Sequence, residues 1–318
     1  MMLVIHNDYH IHDRVSMKIT NIIAYEFTAQ LAIDELALNE ALQAYAFKPC
    51  EKSQSASFGF VSPFGLGSET LYHRSNNQIL LCAKKEKRPI PNGAVAEQLV
   101  FKNKEFIEST GRPLTSKEKT ALKEDILHQL QPHAFSYYEV MWAFLDLERQ
   151  RLLVAVNSSP KAEDFNSLLR GALGSLPVRP WGSEFPEPRT ILTDWLRNGS
   201  SPFELGTEAE LAASAGQEGV IITKHQSLDR EELHTAIDNG KHCVKLGLAI
   251  EDKLSFVINE NLHLKKVKID SDSAEAYHFV DGTEAEKLDS DFSMWSLSLR
   301  ELLDKVAEAF EKKASQVA

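Results

Sequence analysis

Ile19, Ile22, Ile23, Tyr25 and Phe27 crowd β-branched and aromatic side chains into nine residues, which predicts a strand. Asp34 then suits the N-cap of a short amphipathic helix carrying Leu36, Leu38, Leu42 and Tyr45 on its apolar face. Residues 59–67 read as a turn-rich stretch leading into a hairpin, with strands at 70–74 and 78–84 joined by Ser75, Asn76 and Asn77. Pro89 and Pro91 close that hairpin, and helical periodicity runs on to about Leu130. Gly111-Arg112-Pro113 splits the region into two helices, because proline blocks continuation. Thr115 with Glu118 three residues later is a capping-box signature opening the second helix. A further apolar hairpin is expected over 137–146 and 151–157, then a helix over 160–173 stopped by Gly174.

Beyond a proline-rich patch at 176–188 the alternation repeats on a smaller scale. A short helix is expected at 191–197, a strand at 219–225, and a helix at 228–239 ending on Gly240. Residues 245–250, 253–259 and 264–269 have the pattern of a three-stranded meander, and 295–310 that of an amphipathic helix. Strands arranged in pairs among helices, without strict βαβ alternation, predict an α+β fold of mixed antiparallel sheets and helices. The expected organisation is a disordered leader at 1–16, an N-terminal α+β region at 17–175 with a basic helical lobe over about 84–133, and a C-terminal α+β region at 176–318 with an acidic end.

The composition fits a folded, globular chain: 43% hydrophobic and 25% charged residues over 318 positions. No apolar run approaches the length of a membrane span, and the opening Met1 to Ile5 is too short for a signal sequence. Cys50, Cys82 and Cys243 are odd in number and far apart, so neither a disulfide framework nor a zinc knuckle is expected, and a reduced, cytoplasmic setting fits best.

Enzyme signatures are faint. Gly65-Leu66-Gly67-Ser68 has part of a phosphate loop, but the Gly-Lys-Ser/Thr ending is missing and a structural turn is the simpler reading. Asp270-Ser271-Asp272 starts like a calcium loop, yet Glu275 stands where that loop needs glycine. His6, His10 and His12 lack an acidic or thiol partner pattern, so no metal is expected there. Glu251-Asp252-Lys253 places acids and a base beside a strand, as metal-dependent nucleases do, but suits a polar turn better.

Charge distribution says more. The net charge is -11, which on its own disfavours nucleic acid. The basic residues, however, are segregated. Residues 84–123 hold ten basic side chains against five acidic ones, whereas residues 270–318 hold twelve acids and five bases. DNA carries one negative charge per roughly 1.7 Å of axis, and lysine-rich surfaces bind it by releasing condensed counterions. Charged helices are more often merely solvated faces, so charge alone leaves both readings open. No recognition helix with base-reading residues is apparent, and any DNA binding is expected to be sequence-tolerant.

Several stretches are similar to the bacterial recombination-associated protein RdgC family. They include AFKPC at 46–50, ILLCAKK at 79–85, LKEDILHQLQPHAFS at 122–136, KAED at 161–164, LLRGALGSLP at 168–177 and LTDWLRNG at 192–199. The similarity continues through 219–226 and 239–246 and covers nearly everything from Ile19 to Asp270. No single stretch is a catalytic motif; their order and spacing carry the resemblance. It implies a non-enzymatic protein without cofactors that encircles double-stranded DNA as a ring-shaped homodimer with a basic central hole. It further implies binding without marked sequence preference and functional antagonism with RecA, in the cytoplasm and on the nucleoid.

Residue by residue, the resemblance points to Lys84 and Lys85 as DNA contacts, and Lys87 and Arg88 of the same basic window are expected beside them. Arg112 and the lysine-rich helix start, Lys117, Lys119 and Lys123, join them, as do Lys224 and Gln226 at a strand end. Phe135 matches an aromatic that closes the dimer, the alternative being a core phenylalanine opening a strand. His133 and Tyr137 stand where relatives can carry arginine, and His225 replaces a lysine, so its charge depends on pH. Two other classes stay open: a metal-dependent nuclease using Glu251 and Asp252, and a protein-interaction scaffold working through the acidic C-terminal end.

Overall fold

In the computed structural model, residues 17, 19–31, 33–65, 67–213, 219–270 and 282–317 are described. The leader with its three histidines and most of the calcium-like stretch lie outside them. The elements run β1 (Asn21–Phe27), α1 (Glu35–Ala44), β2 (Ala56–Val61), β3 (Tyr72–Ser75), β4 (Gln78–Lys87), α2 (Asn92–Thr110), α3 (Ser116–Leu130), β5 (Tyr137–Asp146), β6 (Arg151–Ala155) and α4 (Ser159–Leu173). They continue as β7 (Val178–Pro180), α5 (Pro188–Asn198), β8 (Glu204–Ala213), β9 (Val220–Thr223), α6 (Glu231–Asp238), β10 (Lys241–Ile250), β11 (Leu254–Asn259), β12 (Leu264–Ile269) and α7 (Glu284–Val317). The expected α+β character is present: a mixed α/β chain built on antiparallel pairing.

The chain divides into two units. The larger comprises Met1–Ala44, Ser62–Cys82 and Met141–Ala318; the smaller comprises Tyr45–Val61 and Ala83–Val140. The boundaries cut β4 after Cys82 and β5 after Val140.

In the larger unit the strand order is β4-β5-β6-β1-β12-β11-β10-β8-β9, with β3 on β4 and β7 on β1. The β3–β4 hairpin turns through Asn76 and Asn77, both at positive φ (48° and 59°), with Ser75 paired to Gln78. Asparagine tolerates that left-handed backbone, so the two-residue turn follows directly from the Asn-Asn pair. Along α7, Leu288, Phe292, Leu299, Leu302, Leu303, Val306 and Phe310 are buried at three- and four-residue intervals. Phe292 stacks on Phe144 of β5 at 5.6 Å, and Phe310 meets Trp195 of α5 edge-on at 5.3 Å. Ion pairs hold α7 to the β5–β6 turn. Arg300 reaches both carboxylate oxygens of buried Asp146 at 2.6 and 2.9 Å, and Asp304 accepts from Arg149 at 2.9 Å and Arg151 at 2.6 Å. Burial alone would raise the Asp304 pKa, but those two arginines hold it below the ordinary aspartate value.

In the smaller unit β2, the end of β4 from Ala83, the start of β5 up to Val140, and the α2–α3 pair come together. Glycine at 59 is a strand residue here, contrary to the turn reading of 59–67. A side chain at that position would meet the Phe47 backbone at 2.5 Å, so Gly59 permits the close crossing in which Phe60 bridges Ala46. The capping box at Thr115 and Glu118 forms as expected, and Gly111 ends α2 at φ 72°.

Strand β8, like β2 and the short β7, is an element the pattern did not announce. Its sequence, ELGTEAELAA, is poor in β-branched and aromatic residues; pairing with β10 on one side and β9 on the other supplies what local propensity lacks.

Candidate nucleic-acid interface

Within the smaller unit, β4 carries Lys84, Lys85 and Lys87, and Arg88 follows directly at its end. Strand alternation sends neighbours to opposite faces, and the contacts follow it. Lys84 lies over the Tyr138 ring at 4.3 Å, whereas Lys87 pairs with Glu139 at 3.0 Å and lies 5.8 Å from the Tyr137 ring. Lys85 sits 5.4 Å from the Phe58 ring.

Between them Glu86 is only 1% exposed. Its carboxylate accepts from Ser136 Oγ at 2.5 Å and from the Cys50 N–H at 2.7 Å, and Arg88 Nε donates to Ser136 Oγ at 2.9 Å. Arg88 is therefore committed to an internal network. The Ser136 hydroxyl bond, then the Cys50 N–H and the Arg88 charge, hold Glu86 below the usual glutamate pKa despite its burial. A carboxylate depressed in the folded state stabilises fully above its unfolded pKa of about 4.3 and loses that contribution as pH falls through the folded value. Glu86→Gln is accordingly expected to flatten the fall in urea midpoint between about pH 5 and pH 3; an unchanged acid limb would assign the acid sensitivity to other carboxylates.

The same network pins the segment that presents Phe135. That ring is 93% exposed, which removes the core reading for the single chain. Val100, Phe101 and Ile107 on α2 are also exposed.

On α3, Lys117, Lys119 and Lys123 are exposed and have no carboxylate partner among the described residues. At 100° per residue Lys119 and Lys123 share a face, while Lys117 points well away from it. Arg112 is not free in this way. It forms a bidentate pair with Glu118 at 2.8 and 3.0 Å, an interaction that drives the Glu118 pKa far below the ordinary range.

In the larger unit Lys224, just past β9, lines a shallow concavity of about 180 Å³ with Lys245, Lys265, Lys266, Glu208 and Glu210. Gln226 bonds instead to Arg230. Sequence reasoning missed the three lysines contributed by β10 and β12. The run LKKVKI at 264–269 was the available signal.

Glu251 and Asp252 occupy the turn between β10 and β11, with Asp252 at φ 54°. Among the described residues no group of three or more His, Cys, Asp or Glu side chains could hold a metal ion. Cys50, Cys82 and Cys243 are buried and joined in no disulfide among the described residues, and burial pushes the Cys243 thiol up to about 12. No helix among the described residues is long and apolar enough to cross a membrane.

Fold and surface together define a mixed α/β protein whose antiparallel sheets and helices display grouped, exposed lysines. Residues 17–313 match the family model described as "Putative exonuclease, RdgC". The recombination-associated protein RdgC of Proteus mirabilis is 35% identical over 298 residues, covering 92% of this chain and 98% of that relative. Those of Tolumonas auensis (35% over 292 residues, 91% and 96% covered) and Psychromonas ingrahamii (36% over 293 residues, 91% and 97% covered) are similarly related. The chain belongs to the RdgC family.

Proposed function

We propose that this protein binds duplex DNA through its phosphates, without sequence preference and without cutting it. In this reading two copies close a ring around the duplex and restrain RecA-dependent recombination on the nucleoid, in the cytoplasm. The observation that carries the DNA reading is the set of exposed α3 lysines with no carboxylate partner among the described residues. Ammonium groups left uncompensated in a chain of net charge -11 are available to a polyanion. The printed names of the relatives, recombination-associated proteins, agree with such a ligand.

Exposed apolar side chains support the second copy: Phe135, Val100 and Phe101 in the smaller unit, and Val220 and Ile222 on β9, the last strand in its order. A strand at the end of its sheet order and exposed apolar surface of this kind favour association.

The test is a gel-shift series with plasmid or linear duplex, read beside sedimentation of the wild type and Phe135→Ser. Affinity is expected to drop by about 10³–10⁵ between 50 and 200 mM salt if six to ten phosphates are contacted. Phe135→Ser should weaken both dimerisation and retention on DNA. A flat salt response sinks phosphate-dominated binding; nicking of the plasmid with magnesium or manganese would favour the nuclease reading instead.

A further inference from the structure

The concavity on the larger unit is built in an unusual way. On a regular strand Lys265 and Lys266 would face opposite sides, yet both line it. The β11–β12 register slips between Ser255↔Lys268 and Val257↔Lys265, leaving one extra residue on β12, and Lys266 sits at φ 51°. A bulge of this kind re-aims a side chain, and a non-glycine residue in the left-handed region is retained at a cost, commonly where a site needs it.

Two of the four lysines already hold an anion. Lys266 Nζ meets both oxygens of Glu208, at 2.5 and 2.8 Å, and Lys245 pairs with Glu210, its cross-strand neighbour. Gly247 leaves room for this arrangement, since a side chain there would stand 3.2 Å from Glu208 Cγ. Lys224 and Lys265 have no carboxylate partner among the described residues. The site thus consists of two open cations beside two cations that are internally neutralised.

We infer that Lys245, Lys265 and Lys266 form, with Lys224, a contact for the DNA phosphate backbone, and that Glu208 and Glu210 are built-in competitors for it. Binding exchanges carboxylate for phosphate on Lys266 and Lys245. The exchange is accessible because half-exposed pairs are individually weak: Lys266 is 61% exposed and Lys245 37%. The glutamates then limit affinity, keeping hold on DNA below what four lysines would give.

This rests on the duplex-DNA reading, and the experiment separates the two. Fluorescence anisotropy with a labelled random-sequence duplex compares wild type, Glu208→Gln/Glu210→Gln, and Lys266→Ala in both backgrounds. The glutamine pair is expected to bind about 2- to 30-fold more tightly, the combined worth of two exposed ion pairs. Lys266→Ala should cost more affinity in the Glu208→Gln/Glu210→Gln background than in wild type, a coupling that a misfolded variant could not produce in that direction. Wild-type binding with no gain in the glutamine pair and no coupling overturns the competitor role alone. Absence of wild-type binding at any salt removes both readings together.

Discussion

Arg300→Ala is expected to be the most damaging single charge removal in the larger unit, lowering stability by about 3–5 kcal/mol. The reason is what it leaves behind. The Asp146 side chain is 4% exposed and that of Arg300 16%, and the guanidinium satisfies both carboxylate oxygens while also reaching Glu148 at 2.9 Å. Gln78 Nε2 at 3.2 Å and the N–H groups of Glu148 and Arg149 also donate to Asp146, but they are neutral. Without Arg300 the buried carboxylate has no countercharge in contact among the described residues. Arg149, with a side chain 42% exposed, makes the informative comparison: Arg149→Ala should cost no more than about 1 kcal/mol. Urea midpoints at constant m-value would measure both. Equal losses would mean that the packing of α7, rather than the buried pair, anchors the helix.

The second large effect is expected on α3 and is read from salt dependence. Each phosphate contact contributes about 0.9 to the slope of log affinity against log salt, so Lys119→Ala/Lys123→Ala should flatten the slope by about 2. Lys117→Ala should change it little, because one duplex cannot meet opposite sides of a helix. Arg112→Ala should also change it little, its charge being already taken up by Glu118. A slope unaltered by the double change would remove α3 from the interface, whatever the absolute affinity does.

Much of this architecture could be read from local chemistry. The Asn76-Asn77 turn, the Thr115–Glu118 cap, the stop at Gly174 and the periodicity later found within α7 all act over a few residues, and each left its signature in the chain. What was not legible depended on distant partners. Gly59 looks like a turn residue until Phe47 crosses it, and β8 has no strand signal until β9 and β10 pair with it. Charge behaved likewise. The basic character of 84–123 was evident, but the burial of Glu86 and the loss of Arg88 and Arg112 to internal partners were not. The β12 lysines were visible as letters; that two adjacent ones line the same hollow depends on a bulge that strand alternation alone does not predict.

The alternation along β4 has a consequence for how this charge should be counted. A double helix is a stiff rod, and it touches a flat ribbon along one side at a time. Of the adjacent ammonium groups at Lys84 and Lys85, only one can lie against a given duplex; the other must face bulk solvent, a second strand of nucleic acid or a different molecule. A sequence tally therefore overstates the ions displaced when one rod docks, and the thermodynamic stoichiometry should fall short of the number of basic letters in the window.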